Sequence, residues 1–231
     1  GLSPDKFILS YCDRALGITS AEEQPVLPKG NNLSLHLLEL FTSQVAKVGM
    51  TDGIRQVLQE ESDALRAYYE QAGILIARPA GGTSCRLAIS AKGGTNAENH
   101  NHNDVGSYAV ALGSETMVGD QGGPNSYPGD YFNGDAPQKY KIKGSFGHPV
   151  PVVDGRTQSS GGKAKGVVLQ KEFTNEKDVF SIDYTSAYST PNLDKLIRTF
   201  VYDRQGEGNF TVGDEFTAKT PIRFETAITT R

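Results

Sequence analysis

Residues 73–79 (GILIARP), 85–92 (CRLAISAK) and 105–112 (VGSYAVAL) decide the fold. Each is a short run of β-branched, aromatic or small apolar residues, bounded by Gly, Pro, Ser or Asn turn signals, which predicts strands. Further strand patterns lie at 166–174, 178–188, 196–204, 210–218 and 222–230. In the second of these, Phe180, Ile182 and Tyr184 alternate with Ser181 and Asp183, so one face is apolar and the other polar. Short strands at such spacing predict an antiparallel sandwich or barrel. The class is mainly β, with a large antiparallel β-sandwich over 68–231.

Upstream the period changes. Ser3 and Pro4 suit a helix start, Phe7, Ile8, Tyr11, Cys12 and Ala15 follow at helical spacing, and Gly17 is a stop. Residues 18–33 read as a loop. Ser34 opens a second helical pattern, with Leu38, Phe41, Val45 and Val48 on one face and Gly49 at its end. A third runs through Ile54, Val57, Leu58 and Leu65. Residues 1–67 thus form a short helical segment without an obvious closed core of its own. The chain also stops at Arg231 directly after a strand pattern, so a piece of a longer protein is expected.

The 231 residues carry a net charge of −4, which argues against a basic nucleic-acid binder. Acidity does not exclude an acidic sugar, since local His, Lys and Arg can outweigh the global sign. No run of eighteen apolar residues marks a membrane span. Cys12 and Cys85 lie too far apart in sequence to read as a disulfide framework and are taken as core thiols. The segment 120–147 is rich in Gly, Pro, Asn and Tyr, and long irregular stretches in compact domains are often functional.

Two of the four histidines sit in Asn99-His100-Asn101-His102-Asn103-Asp104. If that stretch is extended, His100 and His102 project from one face. One metal ion takes both, or one binds metal while the other faces a substrate. A metallo-β-lactamase pattern fits poorly, because Val105 follows Asp104 and only His148 remains downstream. A cupin-like metal enzyme keeps Gly94 six residues before His100, but Gly106 and Ser107 occupy the positions of its glutamate. His36 reads as a partly buried surface histidine.

The run from His100 to Tyr108 resembles the His-rich motif of heparinase II/III-like polysaccharide lyases. Downstream, Asp120 opens Gly119-Asp120-Gln121-Gly122-Gly123. His148 precedes the turn Val153-Asp154-Gly155, and Tyr69-Glu70-Gln71-Ala72-Gly73-Ile74 is similar to that family's start of the sandwich. The resemblance covers about residues 68–230. It implies that residues 1–67 are the tail of an α/α toroid and that His102, Asp120 and His148 are metal ligands. Two imidazoles and a carboxylate suit zinc, with water as a fourth ligand, and the resemblance implies a structural ion that orders the loops. It further implies that His100 is the active-site histidine and that the reaction is β-elimination on a uronate-containing polysaccharide or oligosaccharide. A periplasmic or secreted protein follows from the same resemblance.

Tyr140 falls where the family often has a tyrosine facing the cleft; the alternative is a packed aromatic. Asp104 reads as a turn residue or as an acceptor for a ligand imidazole, and Asp154 as a hairpin turn residue. The family's acid/base tyrosine lies in the toroid, and Tyr11, Tyr68 and Tyr69 match no such context. The 231-residue chain is therefore expected to be inactive alone. A non-catalytic carbohydrate-binding sandwich is the competing reading.

Overall fold

The computed structural model describes residues 64–230 except 114, 121, 122, 124 and 125. The helical readings of the first third, with Tyr11, Cys12, His36 and the toroid tail, lie outside the described residues. Leu65, placed above at the end of the third helical pattern, is not helical: its carbonyl accepts from the Arg78 backbone N–H at 2.8 Å as the chain enters a sheet.

The described residues are mainly β. One antiparallel sheet has the order β1-β2-β3-β5-β6. Its strands are β1 (Arg66–Tyr69), β2 (Ile74–Ala77), β3 (Leu87–Lys92), β5 (Tyr108–Leu112) and β6 (Glu115–Val118). The second has the order β12-β11-β10-β9, from β9 (Val167–Phe173), β10 (Lys177–Asp183), β11 (Leu193–Asp203) and β12 (Asn209–Ala218). Two short ribbons complete it: β4 (Thr95–Asn96) with β8 (Gly161–Lys165), and β7 (Pro151–Val153) with β13 (Phe224–Thr226). Among the described residues no helix is long and apolar enough to cross a membrane.

Period-two alternation builds the core. Leu75, Ala77, Ile89 and Ala91 from the first sheet meet Phe180, Ile182, Leu196, Phe200 and Tyr202 from the second in one buried cluster. Phe180 pairs with Phe200 across β10 and β11, and their rings stack at 6.0 Å. Removing such an aromatic costs about 3–5 kcal/mol. Cys85 is a free buried thiol, with its Sγ 3.5 Å from the Tyr202 hydroxyl. Asp154 and Gly155 both have positive φ, 53° and 73°, the geometry of a tight hairpin turn that closes Val153 onto Arg156.

Between β6 and β7 the chain forms the irregular segment its composition announced. Among its described residues are a helical turn, α1 (Ala136–Lys139), and 3-10 turns at Lys141–Lys143 and Ser145–Gly147. Gly147 is needed there, because a Cβ would come within 2.6 Å of the Ile142 carbonyl. This tight coil delivers His148 to the edge of the sandwich.

Candidate metal centre

Three loops converge at one end of the sandwich. His102 follows the turn after β4, Asp120 follows β6, and His148 follows the second 3-10 turn. One ligand atom from each lies within 4.8 Å of the others, and among the described residues this is the group able to hold a metal ion.

The loops are pinned by hydrogen bonds that do not involve the ligands' own rings. The Asn103 backbone N–H donates to the Lys143 carbonyl at 2.8 Å. The Asn103 amide donates to the Gln158 carbonyl and to Ser160 Oγ, each at 3.1 Å. Buried Gln158 accepts from the Val105 N–H at 3.0 Å and donates to the Val105 carbonyl at 2.7 Å. Its own N–H donates to Ser145 Oγ at 2.9 Å, which ties the His102 loop to the coil ahead of His148. Beside Asp120, Thr229 Oγ1 donates to the Gly119 carbonyl at 2.6 Å.

Within the group, His102 Nδ1 stands 3.1 Å from His148 Nε2, and His148 Nδ1 stands 3.2 Å from Asp120 Oδ2. Two nitrogens on one tetrahedral ion with bonds of about 2.0–2.1 Å stand about 3.3 Å apart. The observed spacing is close to that. His148 is fully buried, and its Nδ1 has no hydrogen-bond partner among the described residues. An ion seated between His102 Nδ1 and His148 Nε2 uses the one imidazole nitrogen that His148 can offer it, and leaves Nδ1 on the Asp120 side. His102 is held below the ordinary imidazole pKa, first by burial and then by the neighbouring His148. It is therefore neutral near pH 7, the form that donates a lone pair to a metal. The residues present fit a divalent ion.

His100 is not in this group. Its φ of +58° is left-handed, so the stretch His100–His102 is not extended, and the expectation that both imidazoles share a face fails there. Asn, Asp and His all visit that region more readily than other non-glycine residues, and residues 99–104 are all of these types, so the turn position was not legible from residue type. The His100 ring instead stacks on Phe132, with centroids 4.4 Å apart and planes at 28°.

Asp104 is also outside the group. Its carboxylate takes Lys92 Nζ at 2.6 Å and Ser107 Oγ at 3.4 Å, a turn-stabilising arrangement rather than a hydrogen bond to an imidazole. Tyr140 lies in the same irregular segment, where its hydroxyl donates to Asp130 Oδ1 at 2.5 Å. That carboxylate raises the phenol's pKa while Lys139, bound to the same Asp130, holds the acid's own pKa down.

Sequence reading missed two buried cations here. Lys143 is 3% exposed, donates to the Tyr131 carbonyl at 2.8 Å and lies over the Tyr131 and Phe132 rings at 4.7 and 5.0 Å. Burial pushes its ammonium below the usual lysine range. Arg198 is 1% exposed. Its signal was present, since it falls in the inward row with Leu196, Phe200 and Tyr202, where an apolar residue is the rule.

The fold is of a polysaccharide-lyase-like kind. It is similar to two structures of a heparan sulfate lyase, HepC from Pedobacter heparinus, one of them a mutant. The mutant aligns with a TM-score of 0.57 at 17% identity, over 79% of this chain and 28% of its own. The other aligns with a TM-score of 0.57 at 15% identity, over 80% of this chain and 28% of its own. The chain thus spans under a third of those lyases. No family model matches the sequence, and no curated protein matches it.

Proposed function

We propose that the chain is part of a polysaccharide lyase that cleaves a uronate-containing chain by β-elimination, with a structural zinc ion held by His102, Asp120 and His148. The observation that carries this reading is the convergence of those three side chains within a lyase-like sandwich. Zinc bound there orders the loops. The chemistry belongs to the surrounding side chains.

In such a reaction a base removes the proton next to the uronate carboxylate. Donors on the carboxylate stabilise the charge that develops, the bond to the leaving sugar oxygen breaks, and an acid protonates that oxygen. His100, outside the ligand group, serves as donor or base. Tyr140 contacts substrate. The rings of Tyr127, Phe132 and Phe146, 57%, 47% and 58% exposed, give sugar faces a surface to stack on. An upstream helical toroid supplies the acid/base tyrosine, and the protein works in the periplasm or outside the cell. The test is absorbance of unsaturated product from a uronate polymer. Activity is expected from a longer chain that includes the toroid and not from these 231 residues. Product formed at a useful rate by the 231 residues alone contradicts the division of the site.

Those exposed rings also favour a second reading, a carbohydrate-binding sandwich without turnover. Binding of uronate oligosaccharides by the longer chain, with no unsaturated product, supports it over the first.

A further inference from the structure

We propose that the buried pair Arg198–Asp214, outside the ligand set, sets the distance between His102 and His148 and so governs metal affinity. The inference rests on the metal reading above. Arg198 on β11 and Asp214 on β12 are register partners. Arg198 Nε donates to Asp214 Oδ1 at 2.8 Å and Nη2 to Oδ2 at 2.7 Å, a two-point pairing that fixes the guanidinium plane. The Tyr184 hydroxyl donates to the same carboxylate at 2.8 Å.

The free end of the guanidinium points at the metal loops. Arg198 Nη1 donates to the Gly106 carbonyl at 2.8 Å and to the Pro149 carbonyl at 2.7 Å. Gly106 lies four residues beyond His102, and Pro149 directly follows His148. Both carbonyls accept from one nitrogen, so they can be no farther apart than the sum of those two lengths. The loops carrying the two imidazoles are thereby clamped on one rigid fork. Gly106 presents its carbonyl only because it is glycine: its φ is +86°, and a Cβ would lie 3.3 Å from the Tyr184 ring.

An internal control lies directly after β11. Arg204 is also buried and bonds to Asp178, but its other partners are the carbonyls of Arg78, at 2.7 Å, and Leu65, at 3.0 Å. It touches neither histidine loop. A buried ion pair that only stabilises the sandwich behaves like Arg204, and a positioning residue does not.

Four proteins decide it: wild type, Arg198→Lys, Arg204→Lys and Asp214→Asn. Each is stripped, then titrated with zinc against a chromophoric chelator, loaded with cobalt(II) for its visible spectrum, and melted without metal. Lysine keeps the charge but cannot bridge a carboxylate and two carbonyls in one plane. Arg198→Lys is expected to lose at least tenfold in zinc affinity and to shift the cobalt bands. Arg204→Lys is expected to melt lower and keep both. Equal affinity in Arg198→Lys and wild type, or equal affinity loss in the two lysine variants, overturns the proposal. If Arg198→Lys does not fold, Asp214→Asn decides, since it loosens the fork while leaving both carbonyl contacts. Weaker zinc binding in Asp214→Asn supports the proposal, and wild-type affinity with a lowered melting temperature overturns it. Zinc binding by none of the four, wild type included, defeats the metal reading itself.

Discussion

His102 Nδ1 and His148 Nε2 meet at 3.1 Å although 46 residues separate them in sequence. Nothing in either loop alone brings them together. The contact is assembled by Gln158, Asn103 and Arg198, which hold the two loops against the same edge of the sandwich.

The two histidines of the His-rich stretch have separate jobs in this account. His102→Ala is expected to lose bound metal, because a ligand is removed. His100→Ala is expected to keep it, because its ring stacks on Phe132 outside the ligand group. Zinc content of the two purified variants, measured side by side, checks this. Equal loss in both would defeat the division and favour a shared ion of the cupin kind.

Metal-free protein should lose stability as pH falls through the imidazole range. Burial lowers the folded-state pKa of His102, while the unfolded chain titrates near the ordinary value of about 6.5. Below that value the unfolded state binds the proton first, so the stability His102 contributes is full above it and lost as pH drops through the lowered folded value. Urea unfolding of metal-free wild type and His102→Gln between pH 7.5 and pH 5, as a rough bracket of that range, reads the effect. A parallel pH dependence in both would contradict it.

Gly106→Ala is expected to destabilise the fold by about 1–2 kcal/mol from the left-handed backbone alone, with crowding against Tyr184 in addition. Chemical denaturation measures it. A variant as stable as wild type would mean that the turn relaxes freely.

Much of the sandwich was legible because period-two alternation is local. Phe180, Ile182 and Tyr184 announced an inward face, and each is buried. Ordered motifs likewise pointed to His102, Asp120 and His148, which the fold brings together. The two-residue strand β4 and the paired β8 were not legible, since Gly161, Gly162 and the lysines of β8 carry no alternation and the pairing is long-range. The conformation of His100 escaped for a related reason. A left-handed turn is open to every Asn, Asp and His of residues 99–104, so what selects His100 comes from its surroundings, here the coil that carries Phe132. Arg198 did carry a sign, a charge in an apolar row, but its partners come from three other segments.

His102, Asp120 and His148 are proposed to hold one zinc ion that is coupled to folding. Elemental analysis of stripped and zinc-reloaded protein, with thermal melts of wild type and His148→Ala, decides it. One zinc per wild-type chain is expected, with a melting temperature that rises on loading, and both are lost in His148→Ala. No zinc above background in reloaded wild type, or full zinc content in His148→Ala, would contradict it.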